Sequence, residues 1–411
     1  AKARSYLNLK IIVSCRSIYL EEYLDEEKIS GMLQVPHNGF DEMEVEALGS
    51  FCEYYGVNIN YDTTCVPEFM NPLFLKMLCE IAVEKEDKTV VVDDIQTLMN
   101  EFFDIKNKII SKHYLESLSV KDKVVSLVLD DVTQYMSDND QYSISWFELR
   151  TIVSDTLDKF GLKEKASGFI KALISENLLR EADEKGTEIT FAYQKFYEYL
   201  YAKKYVNMEM NVIIRAVEDK KVTLGTLEMI QILYMQEMRE EFVSKINDRI
   251  HNEAVATFMS GLYWRNVNEI NEKTIVEIEK LLYSLNETDI RQVILGLITI
   301  STKCNCAVNA YYIHEKLSSL NLYVLSFFLL KQYDQVKVVS DMCERAIALR
   351  STAFASDNIL LWKILLCWGT GSNDIKLRDK ASKGLTNLFK LYPLDMLTII
   401  DMFKDVKDDY I

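Results

Sequence analysis

Arg16 is the residue whose type and position point most directly to chemistry. It follows residues 7–13 (LNLKIIV), an apolar run whose length and β-branched character predict a buried strand. Ligand-facing residues in parallel sheets lie just past the carboxyl ends of the strands. A guanidinium at this place can bind a phosphate through two charge-assisted hydrogen bonds. An arginine that caps an exposed loop explains the position equally well, and both interpretations stay open.

Asn71 and Pro72 form a second candidate position, because together they predict the start of a helix. A proline in the first helical turn loses no hydrogen bond there. An ordinary helix start accounts for both residues without any ligand.

Tyr193 belongs to a third candidate segment, residues 188–205. Residues 189–193 predict a short strand that runs straight into a helix, and tyrosines recur at i, i+4 and i+8 as Tyr193, Tyr197 and Tyr201. Residues four apart share one helix face, so this seam must be buried. Plain core packing is the simplest explanation of the seam.

The remaining residues do not indicate a metal site or a catalytic nucleophile. Cys304 and Cys306 are too closely spaced for a zinc knuckle, and the four histidines lie far apart. Neither serine, cysteine nor histidine shows a recognisable nucleophile setting. The sequence therefore predicts no metal site and no catalytic residue.

Composition limits the class of protein that this chain can be. It has 411 residues, which predicts two to four domains, and only 13 glycines and 4 prolines, which predicts mostly helix. A net charge of −16 disfavours nucleic acid as a partner, because the average field repels phosphate. Scattered cysteines and the lack of an 18-residue apolar run predict a cytoplasmic protein that does not enter a membrane.

Residues 119–206 have the element order of a winged helix. Helices are predicted at 121–136, 145–157 and 163–179, followed by a hairpin turn at 183–186 and the return strand. Such a domain could bind DNA, but the expected recognition helix has only Lys163, Lys165 and Lys171 and lacks an arginine cluster. After residue 206 the pattern becomes a series of amphipathic helices, which is typical of an α-solenoid. Similar helices begin at Asp289 and Asp374, 85 positions apart (374 − 289), which suits two repeats of about 42 residues.

The segment Phe191-Ala-Tyr193-Gln-Lys-Phe196-Tyr-Glu198 resembles the winged-helix signature of STAND-class signalling NTPases of the NACHT kind. Arg16 is placed like the arginine that senses the terminal phosphate in that class. Asn71-Pro72-Leu73 is similar to a helix start there, whose proline packs on the adenine. The resemblance implies nucleotide-binding roles for Arg16, Asn71, Pro72 and Tyr193, with the Tyr193 hydroxyl where animal relatives use a histidine at the phosphate.

The end of the chain carries a second resemblance. Residues 377–381 (LRDKA) and 403–411 (FKDVKDDYI) are similar to the repeat region of bacterial antiviral STAND (Avs-type) proteins. Because the chain stops directly after this motif and opens just before a strand, we expect it to be truncated at both ends.

The chain departs from the family in one important way. It contains no G-x-x-x-x-G-K-[ST] motif and no acidic strand for Mg²⁺. ATP or ADP with Mg²⁺ would therefore bind only together with a missing N-terminal part. The parent protein is expected to be an ATPase, whereas this chain should not hydrolyse ATP alone.

The sequence thus predicts a mainly α chain in four parts. These are the C-terminal edge of an α/β P-loop NTPase domain (1–45), a helical domain (46–118), a winged-helix domain (119–206) and a truncated α-solenoid of HEAT-, armadillo- or tetratricopeptide-like repeats (207–411). The resemblance implies an ATP-dependent switch in antiphage defence. Its repeats would sense a target protein, such as a phage protein, and its nucleotide module would control assembly into a homo-oligomer. Two alternatives remain, a winged-helix transcription regulator and a helical protein-binding scaffold with no nucleotide role.

Overall fold

The computed structural model describes residues 39–40, 43–60, 67–92, 94–114, 122–183, 186–246, 248–284, 286–319, 333–349 and 356–406. Over these ranges the protein is mainly α-helical, with 17 α-helices and five short strands. This confirms the mainly α class predicted from the scarcity of glycine and proline. The predicted strand at 7–13 and Arg16 lie outside the described residues.

The first described part is a helical unit with two parallel strands. Its elements are α1 (Glu44–Tyr55), β1 (Asn58–Asn60), α2 (Pro72–Glu84), β2 (Thr89–Val91) and α3 (Ile95–Tyr114). Helix α1 ends at Gly56, whose φ of +63° is a left-handed conformation that glycine adopts at no steric cost. Ile59 of β1 pairs with Val90 of β2, and α2 packs on both strands. The helix that opens at Pro72 is therefore held at the centre of this unit.

The second part combines three helices with a three-stranded antiparallel sheet. Its elements are α4 (Val124–Asp138), β3 (Ile144–Ser145), α5 (Trp146–Asp158), α6 (Ala166–Ser175), β4 (Leu179–Glu181) and β5 (Glu188–Phe191). The sheet order is β3-β5-β4, with Ile144 opposite Ile189 and Leu179 opposite Phe191. Strand β3 is an addition to the predicted elements, because it is only two residues long and its partner lies 45 positions away (189 − 144).

Several predicted boundaries in this part shift by a few residues. Ser145 caps α5 as predicted, in a capping box with Glu148. The helix predicted at 163–179 begins as a 3-10 turn, Lys163–Lys165, and is α-helical only over Ala166–Ser175. The return strand ends at Phe191 instead of Tyr193, which leaves Tyr193 as the residue that precedes the next helix.

Helix α7 (Gln194–Tyr205) carries the aromatic seam, and the predicted burial of the seam is confirmed. The rings of Tyr197 and Tyr201 lie 5.2 Å apart between centroids, and those of Tyr201 and Tyr205 lie 5.0 Å apart. The hydroxyls of Tyr201 and Tyr205 also share a hydrogen bond of 3.0 Å. On a neighbouring face Phe196 stacks on Phe102 of α3 at 5.3 Å. Helix α7 therefore joins the first and second parts of the described chain.

The remaining described chain is a two-layer array of helices. Its members are α8 (Met210–Glu218), α9 (Leu224–Met238), α10 (His251–Gly261), α11 (Glu272–Leu282), α12 (Glu287–Ile300), α13 (Ala310–Ser319), α14 (Tyr333–Ala348), α15 (Ser356–Thr370), α16 (Ile375–Leu391) and α17 (Met396–Phe403). Helices α7, α9, α10, α12, α14 and α16 pack each on the next and form one row. In the second layer α11 packs on α12, and α15 packs on α13 and α16.

Glycines allow the first helices of this row to approach closely. A Cβ on Gly225 of α9 would lie 2.2 Å from the Glu198 carboxylate of α7, and one on Gly296 of α12 would lie 2.7 Å from Met259 of α10. Gly261, at the end of α10, contacts Ile232 of α9 in the same way, at 3.3 Å. Each glycine faces the preceding helix of the row, so the row is more tightly packed than larger residues would permit.

The two aspartates that suggested a repeat occupy different positions. Asp374 is the N-cap of α16 and accepts hydrogen bonds from the backbone N–H groups of Lys376 and Leu377. Asp289 lies inside the first turn of α12, whose cap is Asn286. The Asp289 carboxylate lies 3.0 Å from Nε2 of His251 on α10. One aspartate therefore begins a helix, whereas the other ties two helices together.

Candidate functional site

Asn71 and Pro72 begin α2 as the sequence predicted. The Asn71 side chain accepts a hydrogen bond of 2.9 Å from the Leu73 backbone N–H, which is the usual role of an N-cap asparagine. Pro72 occupies the first turn and is exposed. Capping thus accounts for Asn71, while the exposed proline ring remains available for contact with a ligand.

Tyr193 lies beside the same helix. Its side chain is only 5% exposed, and its ring centroid is 6.5 Å from that of Phe74 on α2 and 5.3 Å from that of Phe196 on α7. Because Phe74 follows Pro72 by two residues, Tyr193 packs against the first turns of the helix that Pro72 opens. Arg16 lies outside the described residues, so the structure relates only Tyr193 and the helix that Pro72 opens.

Phe74 is the centre of the aromatic contacts at this place. Its ring is 6.0 Å from that of Phe69, in the 3-10 turn Pro67–Met70, and 5.6 Å from that of Trp264, which follows α10. Edge-to-face and tilted contacts of this kind add to the free energy gained by burial. The start of α2 is thus held by residues from three other parts of the chain.

Lys195 forms an ion-pair cluster next to Tyr193. Its ammonium nitrogen lies 2.7 Å from a carboxylate oxygen of Glu228 on α9 and 3.5 Å from one of Glu68 in the turn before Asn71. All three side chains are at least four-fifths buried. The cluster joins the turn before α2, the first residues of α7 and helix α9.

Glu198 adds a third carboxylate to this cluster. It is 5% exposed, accepts a hydrogen bond of 2.8 Å from the Gln194 side chain, and lies against Gly225 in the first turn of α9. The positive end of the helix dipole favours a carboxylate at that place. Glu198 is therefore buried where both a side-chain donor and a helix N-terminus stabilise it.

Burial and the neighbouring charges shift the pKa values of the side chains in this cluster. Burial raises the pKa of the Glu68 and Glu198 carboxyls, and the Lys195 ammonium partly opposes that increase. Burial by itself disfavours the ammonium of Lys195, but Glu228 and Glu68 more than offset it and raise the pKa of Lys195. Burial also raises the pKa of the Tyr193 phenol well above its ordinary value. Tyr193 can therefore offer a hydrogen bond but no charge.

This arrangement limits which part of a nucleotide could lie here. One ammonium faces three carboxylates, so a phosphate placed against the cluster would meet more negative than positive charge. An adenine or ribose carries no such penalty, and the exposed ring of Pro72 offers an apolar surface for it. The positive charge for a phosphate has to come from elsewhere, and Arg16 is the predicted source.

A separate surface cleft of about 340 Å³ lies in the helical array. It is formed by the turn Phe242–Lys245 and α11, and its charged lining residues are Glu240, Glu241, Lys245, Glu272, Lys273 and Glu277. Lys245 already pairs with Glu240 at 2.9 Å, and Lys273 donates to the Arg239 carbonyl at 2.6 Å. Its lysines are thus engaged by neighbouring protein groups, and the cleft shares no element with Tyr193 or Pro72.

Comparison with known proteins identifies no relative. No protein-family model, no curated protein and no solved structure matches this chain. Within the described ranges, no helix combines the length and apolar character needed to cross a membrane. Over the same residues, no group of three or more His, Cys, Asp or Glu side chains is arranged to hold a metal ion.

The residues of the Lys195 cluster are absent from the sequence-based candidates. Glu198 is part of the segment that carries the family resemblance, but nothing in its spacing predicted burial. Glu228 had a usable signal, since it is the single acid within the apolar stretch 224–233 (LGTLEMIQIL). A lone charge in such a stretch indicates a buried pair, although the sequence does not say which lysine is its partner.

Proposed function

We propose that this chain is part of a STAND/NACHT-type, ATP-dependent signalling switch in antiviral defence. In this proposal the first half of the chain completes a nucleotide module, and the helical repeats sense a target protein. The module controls assembly into a homo-oligomer, and the target is a phage protein, as in the bacterial members of the class.

The contact between Tyr193 and Phe74 is the observation that carries the proposal. The resemblance expects a tyrosine at the start of α7 and a proline at the start of α2 to lie near one nucleotide. These positions are about 120 residues apart in sequence (193 − 72 = 121), yet the Tyr193 and Phe74 rings are in contact at 6.5 Å. The contact places Tyr193 against the helix that Pro72 opens, and that placement supports the proposal.

The order of the elements gives further support. The succession α4, α5, α6, β4, β5 is the one expected of a winged helix and supports that assignment for residues 119–206. The row of packed helices from α9 onward supports the assignment of residues 207–411 to helical repeats.

The mechanism would be a two-state equilibrium that nucleotide and target bias in opposite directions. ADP with Mg²⁺ would hold the closed monomer, with the P-loop and the magnesium-binding strand supplied by an N-terminal part that this chain lacks. Target on the repeats would favour the open state, in which ATP-bound protomers assemble. Each ligand shifts the equilibrium only by its difference in affinity for the two states. A cytoplasmic location fits the six described cysteines, which form no disulfide.

Affinity for ADP in the intact parent protein tests the proposal. Arg16→Ala removes a charge-assisted phosphate contact and is expected to weaken ADP binding by roughly 10- to 100-fold in calorimetric titration. Tyr193→Phe keeps the ring packing, removes one hydroxyl, and is expected to weaken binding by about 5-fold.

Lys171→Ala is the matched control, since Lys171 is exposed on α6 and belongs to neither position. Wild-type affinity is expected for this control. Unchanged affinity in both Arg16→Ala and Tyr193→Phe would rule out the nucleotide role.

A helical scaffold is the second candidate, and one observation favours it. Asn71 is fully explained by its cap on α2, and Tyr193 by its packing on Phe74 and Phe196. A scaffold would bind its protein partner with the same affinity whether or not ATP or ADP is present, which the switch would not.

The transcription-regulator alternative depends on α6 as a recognition helix. Lys171 is exposed on α6 and Lys163 in the 3-10 turn before it, but Lys163 already lies 3.5 Å from Asp158. A DNA-binding protein would lose affinity steeply with added salt, whereas we expect no measurable binding of duplex DNA at physiological salt.

A further inference from the structure

Lys195 connects three elements that are distant in the sequence. Its two ion-pair partners, Glu228 and Glu68, lie on the repeat helix α9 and in the 3-10 turn Pro67–Met70. A single buried ammonium therefore bridges the helical repeats and the turn that leads into α2.

The polar contacts continue beyond Lys195 in both directions. On the repeat side, Ser260 of α10 donates a hydrogen bond to the Glu228 carboxylate. On the other side, the Asn71 backbone N–H donates to the Glu68 carbonyl at 2.9 Å, and Leu75 N–H donates to the Asn71 carbonyl at 3.1 Å. An unbroken series of contacts thus runs from α10 to the first turn of α2.

Close packing prevents α9 from sliding independently of this series. The Glu198 carboxylate occupies the space where a Cβ on Gly225 would lie, and a Cβ on Gly261, the residue after Ser260, would lie 3.4 Å from the Glu228 side chain. Packed interfaces of this kind move between discrete arrangements and do not deform smoothly. A displacement of α9 must therefore carry Glu228 away from Lys195 or pull Lys195 with it.

We propose that Lys195 is a positioning residue that couples the arrangement of the repeat helices α9 and α10 to the start of α2. Through it, a change in the repeats alters the turn that carries Glu68 and, with it, the helix start at Asn71 and Pro72. The coupling itself follows from the ion pairs, and only its use as a relay between target and nucleotide rests on the proposed function.

An ion-pair cluster that merely stabilises the fold would behave differently. Its loss would weaken the whole protein or the immediate contacts of the altered residue. Coupling instead predicts that a change made in α9 or α10 alters α2, and only while the Lys195 charge is present.

Hydrogen exchange of individual backbone amides, in the absence of nucleotide, tests the coupling. Glu228→Gln removes the charge on the repeat side and is expected to speed the exchange of the Asn71, Leu73 and Leu75 amides by about tenfold or more. Asp395→Asn is the matched control, because Asp395 also pairs with a buried cation of the helical array, Lys363, at 2.9 Å and far from α2. This control is expected to leave the three amides at their wild-type rates.

Two further variants make the result specific to Lys195. In a Lys195→Arg background, which keeps the charge, Glu228→Gln is expected to speed the exchange of the three amides as it does in wild type. In a Lys195→Met background, Glu228→Gln should no longer change their exchange rates. Should Glu228→Gln fail to fold, Ser260→Ala removes only the exposed end of the series and is expected to speed the same amides about 3-fold, with the exposed Ser382→Ala as its control.

Acceleration confined to α9 and α10 would overturn the proposal, and so would equal acceleration throughout the protein. Because the experiment uses no nucleotide, its failure leaves the ADP-affinity test intact. A failure of the ADP-affinity test likewise leaves the exchange result interpretable.

Discussion

Burial and neighbouring charges together determine the charge states of Tyr193 and Lys195. Tyr193 stays neutral because burial raises the pKa of its phenol, which restricts it to packing and hydrogen bonding. Lys195 stays charged because its carboxylate partners outweigh the cost of burial. Tyr193 and Lys195 are thus both buried and two positions apart, yet one is neutral and the other charged. Their partner groups determine this difference.

His314 is a side chain whose lowered pKa makes the stability of the protein depend on pH. Its ring lies 4.6 Å from that of Phe403 and 5.7 Å from that of Trp368, and its Nδ1 atom is buried without a hydrogen-bond partner. Burial lowers the pKa of His314, although a hydrogen bond with the Met402 backbone partly opposes the decrease. The unfolded chain therefore binds a proton more readily than the folded protein, and stability present above about pH 6.5 is lost as the pH falls below it.

The His314→Gln variant tests this assignment, because glutamine does not titrate and can still donate to a carbonyl. Between pH 7.5 and 5.5 the free energy of unfolding in urea should fall by less in the variant than in wild type. Carboxyls such as Glu68 titrate in both proteins, so their contribution cancels in the comparison. Equal losses in the two proteins would contradict the assignment.

Among the elements, buried cations recur where one helix meets the next. Arg265 binds both oxygens of Glu241 and the Gln231 carbonyl, while Lys303 donates to the carbonyls of Tyr263 and Arg265 at 3.0 and 2.9 Å. The two Lys303 contacts satisfy carbonyl groups just past the end of α10, which have no intrahelical partner. Breaking such a contact leaves a buried charge or carbonyl unpaired, which is costly, so these cations fix the order of the helices.

Glycine contacts between helices lead to a direct test of the packing. Gly225→Ala places a methyl group 2.2 Å from the Glu198 carboxylate, and we expect it to lower the free energy of unfolding in urea by about 1 to 3 kcal/mol. Gly168→Ala in α6 is the matched control, since no atom lies within 4 Å of the added Cβ. The control should be neutral or stabilising by up to about 1 kcal/mol. Equal tolerance of both alanines would show that α7 and α9 do not pack as described.

Local signals in the sequence predicted helix ends well and strand pairs poorly. Gly56 and Ser145 end and begin their helices through backbone contacts a few residues away, which a sequence pattern can reveal. The parallel pair β1–β2 was not predicted, because each strand has only three residues and its pairing depends on the intervening α2. The Lys195 cluster was missed for the same reason, as its partners lie 127 and 33 positions away (195 − 68; 228 − 195).

At the scale of the whole molecule, two hydrophobic cores meet in the middle of the chain. The first extends from Leu48 to Trp264 and the second from Val243 to Phe403, so both include residues of the segment 242–264. Helix α9 precedes that segment, α10 lies within it, and Lys195 ties α9 to the turn before α2. In the proposed switch, this is the region through which the repeats and the nucleotide module would influence each other.

Photolabelling with 8-azido-ADP in the intact parent protein, with Mg²⁺ present, tests the proposed switch most directly. The azide sits on the adenine, so the label should appear on peptides that contain Pro72 or Tyr193, and excess ADP should abolish it. Lysine-rich surface peptides, such as the one with Lys171, should remain unlabelled. ADP-protected labelling elsewhere, with both of these peptides unmodified, would contradict the nucleotide role assigned to this part of the chain.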